Sequence, residues 1–217
     1  MNVERTRLYR TLIAICRVIY AVVFGAKASG REHFPKDQNC ILIGNHIHAI
    51  DPVTLAVFYK ANEIHFIAKE SIFENRWLAR ILTKLHAFPV NRGETDMRAM
   101  RQAVQVLRDG HVLGIYPEGH RQKDRTVKAI ETGVAVIALR SGVPVVPVYV
   151  SGHYRPFGRL RLTVGPPIPL DDIRSGRADT EALETVKRRV VESLNALAPC
   201  PKAVPNPETS PNGGSDQ

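Results

Sequence analysis

The chain has 217 residues, 44% hydrophobic and 24% charged, an ordinary globular balance that fits one sizeable α/β core and is too short for two comfortable domains. Its formal net charge is +9, from 30 Lys and Arg against 21 Asp and Glu, which favours anionic partners such as nucleic acid, anionic membranes or phosphorylated substrates. Aromatics are only 6% and do not interleave with basic stretches, against single-stranded nucleic acid, while Cys16, Cys40 and Cys200 form no Cys-x-x-Cys pair, against a disulfide framework or zinc knuckle and in keeping with a reducing compartment.

The first element is an arginine-flanked apolar segment. Arg5, Arg7 and Arg10 precede an apolar run over residues 12–24 that Arg17 interrupts. It has no clear signal-peptide cleavage site, and its unbroken apolar length falls short of the ~20 residues of a simple membrane span. Arg10 and Arg17 are seven apart and share a helical face, and most of the remaining circumference is apolar. The pattern predicts an interfacial, membrane-associated helix over residues 1–28, with arginines reaching lipid phosphates; a helix packed on the domain is the alternative.

A turn-rich connector over 30–39 leads to a buried strand over 40–44. Asp51-Pro52 then opens a helix to about Lys60, aspartate and proline being helix-start residues. Strands are expected at 64–68, 87–90, 112–116, 143–150 and 160–164. Helices are expected at 77–85, 95–109, 129–140 and 180–197 from their apolar stripes. Pro144 and Pro147 suggest that the 143–150 strand lies at an edge or that they mark where its pairing begins. Beyond Pro199 the tail is rich in Pro, Asn, Gly and Ser and reads as disordered. Strands alternating with helices predict an α/β fold, a mixed, mainly parallel sheet flanked by helices, with the catalytic domain over 29–198 and the tail over 199–217.

Polar groups gather where strands end. Asn45, His46, His48 and Asp51 follow Gly44, Asn91 and Arg92 follow Val90, and Glu118, Gly119, His120 and Arg121 follow Pro117. In a parallel sheet such ends share one edge, where α/β proteins build their sites. His46 reads as a general base oriented by Asp51, a carboxylate on one ring nitrogen setting the tautomer and raising basicity at the other. Spacing alone leaves a helix-capping Asp51 and a His46/His48/Asp51 metal site open. His33, His65, His86, His111 and His153 have no supporting neighbours in sequence and read as surface or core residues.

These residues resemble the signature blocks of the glycerolipid acyltransferases that include lysophosphatidic acid acyltransferase. Asn45-His46, four residues and Asp51 resemble the first block. Phe88-Pro-Val-Asn-Arg92 is similar to the second, Tyr116-Pro-Glu-Gly-His-Arg121 to the third and Val143-Pro-Val-Val-Pro147 to the fourth; Ala68-Lys69-Glu70 also resembles a family region. The blocks occur in the family's order. Asn91 replaces a frequent aspartate, His120 a frequent threonine or serine, and Tyr116 a phenylalanine.

The resemblance implies transfer of a fatty acyl group from acyl-CoA or acyl carrier protein to the free hydroxyl of a lysophospholipid, giving phosphatidic acid from lysophosphatidic acid. It implies His46 as base and Asp51 as its orienting partner. Arg92, Glu118, Gly119 and Arg121 would bind the glycerol phosphate, and Lys69 would help. It implies no metal and no cofactor. The expected place is an anionic membrane at its cytoplasmic face, with no nucleic-acid partner. The rival expectations are another acceptor (glycerol-3-phosphate, another lysolipid or an amine-bearing lipid), a non-catalytic lipid-binding module, and a metal hydrolase.

Overall fold

The computed structural model describes residues 7–91, 96–119, 126–174 and 179–199. The expectations placed on Arg92, His120, Arg121 and the tail from Cys200 lie outside these residues. In chain order the elements are α1 (Arg7–Val22), β1 (Lys27–Ser29), β2 (Ile41–Gly44), α2 (Asp51–Phe58), β3 (Ile64–Lys69), α3 (Arg76–Lys84), β4 (Ala87–Val90), α4 (Met97–Arg108), β5 (Val112–Ile115), α5 (Thr132–Ser141), β6 (Val145–Ser151), β7 (Arg161–Val164), α6 (Asp171–Arg174) and α7 (Thr180–Ala196). Short 3₁₀ turns at Arg31–His33 and Glu70–Glu74 join them.

The strands form one seven-stranded sheet in the order β1-β7-β6-β2-β5-β3-β4. Every pairing is parallel except β6 with β7. The central strand β2 is buried along its whole length, and its alternation divides two cores. Ile41 and Ile43 enter a cluster with Leu107 of α4, Ala135 and Ala138 of α5 and Val186 and Val190 of α7. Leu42 enters the opposite cluster, which α1 and α2 cover through Tyr9, Ile13, Tyr20, Leu55 and Val57. Leu82 of α3 and Leu85 just past its end pack against that same cluster. The fold is therefore a mixed α/β sheet with helices on both faces.

Most predicted elements stand within a few residues of their expected bounds. Predicted to begin at 129, the helix α5 begins at Thr132, because Glu131 is extended and its N–H bonds to the carbonyl of Pro117, tying the helix start to the loop after β5. Pro147 sits in an interior strand, facing Ile43 across the β2 ladder. Pairing with β7 begins only at Val148, and the carbonyl of Pro147 accepts from Gly165 N just past the end of β7. A proline is tolerated there because its missing N–H falls where that ladder starts. The three-residue β1 carries too little pattern to be read from sequence; it pairs with β7 at the opposite end of the sheet from β4.

The N-terminal helix packs on the domain along one face, as the alternative reading of its sequence expected. Tyr9, Ile13 and Tyr20, spaced at helical repeats, are buried against α2 and the sheet. Arg17 does not reach outward: its Nε donates to the carbonyl of Val57 near the end of α2. Ile15, Val18, Ile19 and Val22 are left exposed on the other side. Among the described residues no helix is long and apolar enough to cross a membrane.

Candidate active site

β2 and β5 are neighbours, so the loops leaving their carboxyl ends meet. Gly44 closes β2 where a Cβ would stand 3.0 Å from Val148 Cγ2, so any side chain there would press on Val148 of β6. Asn45 follows, buried, and is clamped to β6 by a reciprocal pair of hydrogen bonds. Its Nδ2 donates to the Val150 carbonyl at 3.0 Å, and Val150 N donates to its Oδ1 at 2.7 Å. This stitch sets the direction in which the next residue, His46, leaves the sheet.

His46 is held from three sides. Its backbone N–H donates to Glu118 Oε1 at 3.2 Å, joining the β2 loop to the β5 loop. Its ring stacks on Tyr116, centroids 4.6 Å apart. Its Nδ1 lies 2.8 Å from Asp51 Oδ2. The histidine side chain is 13% exposed and Asp51 is fully buried, so the pair is shielded while one edge of the imidazole stays open to the site.

Asp51 belongs to the first turn of α2, where the helix dipole favours a negative charge. A fully buried carboxylate is tolerable only with its oxygens bonded. Oδ2 accepts from His46 Nδ1 and, at 2.7 Å each, from the backbone N–H groups of Ile47 and His48. Oδ1 accepts from the hydroxyl of Tyr154 at 2.6 Å. With the carboxylate at Nδ1, that nitrogen carries the proton and Nε2 presents its lone pair. Among the described residues, Nε2 makes no hydrogen bond. The arrangement can accept a proton from a substrate hydroxyl.

The remaining expected site residues divide. Glu118 is buried and engaged with the His46 backbone. Gly119, at φ 70°, occupies the left-handed region, and a Cβ there would meet Glu131 Oε1 at 2.9 Å. It borders a cavity of about 390 Å³ with apolar walls from Ile67, Val90, Met100, Ile115, Val134 and Ile137. Lys69 is exposed at the end of β3. His48 stands apart from His46, its ring stacked on Tyr154 at 4.7 Å.

Two features escaped the sequence reading. Tyr154 reaches Asp51 across 103 positions from a loop after β6, with no local motif to announce it. The second is a correction: His65, His86 and His111, read as isolated, form a cluster at the opposite edge of the sheet. The His65 ring lies 4.8 Å from His86 and 4.5 Å from His111, and His86 Nε2 pairs with buried Glu63. Each of His86 and His111 precedes a strand, so sheet pairing brings together residues far apart in sequence. Burial, then the neighbouring His86 and His111, pushes the His65 pKa down to about 4.

The mainly parallel sheet thus carries a shielded His–Asp pair at the carboxyl end of its central strand. The acyltransferase family profile matches residues 25–151, and the chain belongs to that family. Among its relatives is the 1-acyl-sn-glycerol-3-phosphate acyltransferase of Bacillus subtilis, 27% identical over 88% of this chain and 98% of its own. The enzyme of that name from Borreliella burgdorferi is 30% identical over 65% of this chain and 58% of its own. The crystal structure of the 1-acyl-sn-glycerophosphate (LPA) acyltransferase PlsC of Thermotoga maritima superposes with a TM-score of 0.61 at 27% identity, covering 90% of this chain and 84% of that one.

Proposed function

We propose that the chain is a 1-acylglycerol-3-phosphate O-acyltransferase that acylates the free hydroxyl of lysophosphatidic acid from acyl-CoA or acyl carrier protein. The observation that carries this is the His46 imidazole, oriented by a buried carboxylate and with Nε2 unbonded among the described residues. Nε2 takes the proton of the acceptor hydroxyl as its oxygen attacks the thioester carbonyl. The tetrahedral intermediate collapses, the C–S bond breaks, and the imidazolium returns its proton to the leaving thiolate. The products are an ester and a free thiol, and no cofactor or metal enters the cycle.

Arg92 and Arg121, with Gly119 and Lys69, take the acceptor phosphate, a role suited to guanidinium groups and assigned from the resemblance. Glu118 serves this half of the site by holding His46 against the β5 loop. The apolar cavity beside Gly119 supports accommodation of a hydrocarbon chain. Exposed Ile15, Val18, Ile19 and Val22 on α1, with Trp77 and Ile81 on α3, support peripheral attachment to an anionic bilayer at its cytoplasmic face, where the acceptor resides. Both helices cover the same sheet face.

The test is acyl transfer by the purified chain to lysophosphatidic acid, with acyl-CoA and acyl carrier protein donors in parallel. Phosphatidic acid is the expected product. Transfer only to glycerol-3-phosphate or to another lysolipid would reassign the acceptor, and no transfer to any hydroxyl acceptor would overturn the reading.

A further inference from the structure

Asp51 has two oxygens, and they are served differently. Oδ2 receives the imidazole and two backbone N–H groups, all from the six-residue turn, His46 to Asp51, that Asp51 itself closes. Oδ1 receives one donor, the phenol of Tyr154, delivered from a loop more than a hundred residues away. Local geometry alone thus leaves the second oxygen of a fully buried carboxylate without a donor, and Tyr154 supplies it.

Tyr154 is itself fixed from several sides. The hydroxyl of Thr54, fully buried on α2, lies 2.6 Å from the Tyr154 hydroxyl. With the phenol proton given to Asp51, Thr54 donates to the Tyr154 oxygen, and the Tyr20 oxygen at 3.1 Å is its alternative acceptor. Tyr20, buried near the end of α1, bonds the carbonyl of Ile50 at 3.3 Å. The ring of Tyr154 is stacked on His48 and meets Phe24 edge-on at 6.0 Å. Its loop is tied to the end of α1 by Phe157 N donating to Val23 O at 2.7 Å. The phenol is held protonated, since burial and then the Asp51 charge drive its ionisation far above the ordinary range.

We propose that Tyr154 is a positioning residue of the catalytic pair: its phenol pins Asp51 through Oδ1, so that Oδ2 stays aligned on Nδ1 of His46. The role rests on the acyl-transfer reading for its consequence in catalysis, but the geometry it imposes is a property of His46 itself. A carboxylate deprived of the phenol donor concentrates its charge on the remaining bonds, of which the one to imidazole is the titratable one. The imidazolium is then favoured, and His46 titrates at higher pH. Freed at Oδ1, the carboxylate also loses a defined plane, and the alignment of Nε2 on the acceptor hydroxyl loosens.

The test uses the full chain in detergent micelles, comparing wild type with Tyr154→Phe, which removes one oxygen, and Thr54→Val, which removes the donor behind it. Steady-state acyl transfer is measured alongside histidine titration by NMR. For Tyr154→Phe the expected result is a kcat lower by about tenfold or more, with donor and acceptor KM values within about twofold of wild type. The acid limb of the rate profile and the His46 titration both move to higher pH. Thr54→Val shifts both in the same direction by less, and decides the matter if Tyr154→Phe does not fold. An unchanged kcat overturns the proposal, and so does a lowered kcat with His46 titrating where it does in wild type, since a merely structural defect would leave that titration in place. If wild type acylates no acceptor, the functional reading fails by itself. The NMR shift still decides the role of Tyr154, its presence supporting the pinning and its absence overturning it.

Discussion

Nδ1 of His46 lies 2.8 Å from Oδ2 of Asp51, and the same oxygen accepts the N–H groups of the two residues following the histidine. One carboxylate therefore does two jobs, closing the turn and orienting the imidazole; it caps no helix, since Ile50 stands at the start of α2 without a side-chain cap and the N–H groups that Asp51 accepts lie before the helix. The two roles separate by mutation. His46→Ala should abolish acyl transfer, a loss of about 10²-fold or more, while circular dichroism and the melting temperature stay near wild type. Asp51→Asn should lower both activity and stability, because an amide is a weaker acceptor for the Ile47 and His48 N–H groups and a poor partner for an imidazolium. Near-normal transfer by His46→Ala would sink the mechanism.

Asn45 is a stability residue beside the His46–Asp51 pair. Its reciprocal bonds to Val150 are buried, so Asn45→Ala leaves a backbone N–H and a carbonyl without partners. A destabilisation of about 2–3 kcal/mol is expected in chemical denaturation. Asn45→Asp keeps the acceptor for Val150 N but loses the donor, and should also lose stability. Wild-type denaturation midpoints for both variants would show that the clamp contributes nothing.

The histidine cluster predicts a pH dependence far from the site. His65 titrates at about 4 in the folded chain against 6.5 unfolded, so between these values the unfolded chain binds more protons. Its contribution is fully present above pH 6.5 and is lost as pH falls towards about 4. His86, His111 and Glu63 are the titratable groups packed around it. His65→Phe, which cannot protonate, should flatten the fall in melting temperature over this window, and an unchanged profile would contradict the assignment.

The outward face of α1 yields a membrane prediction. Val18 is 64% and Val22 69% exposed, and on α3 Trp77 is 76% exposed. Val18→Glu with Val22→Glu should weaken co-sedimentation with anionic vesicles several-fold, and adding Trp77→Glu should weaken it further. Melting temperatures should change little, since these side chains are largely exposed. Undiminished binding by the triple variant would place the contact elsewhere.

Arg121→Ala should raise the acceptor KM by about tenfold with the donor KM unchanged, as expected for loss of one charge-assisted bond to phosphate. Arg92→Ala should behave alike. A rise confined to the donor KM would move these arginines to the thioester half of the site.

The local order of this chain determined much by itself. The continuous apolar run at Ile41–Ile43, a pattern of strands buried on both faces, marks the centre of a parallel sheet, and the polar cluster after Gly44 marks its active edge. The spacing of His46 and Asp51 suffices for their contact because a six-residue turn closes on itself. The tertiary structure decided everything that joins distant segments. Asn45 meets Val150, Glu118 meets His46 and Tyr154 meets Asp51 only because the strand order places β6 and β5 on either side of β2. The same crossing of strands turned three unremarkable histidines into a cluster, and it divided α1 into a face that belongs to the core and a face that does not. Periodicity reports which residues share a face of one element. Which element packs against that face, and so which buried polar atom finds a partner, is set by the packing of the whole sheet.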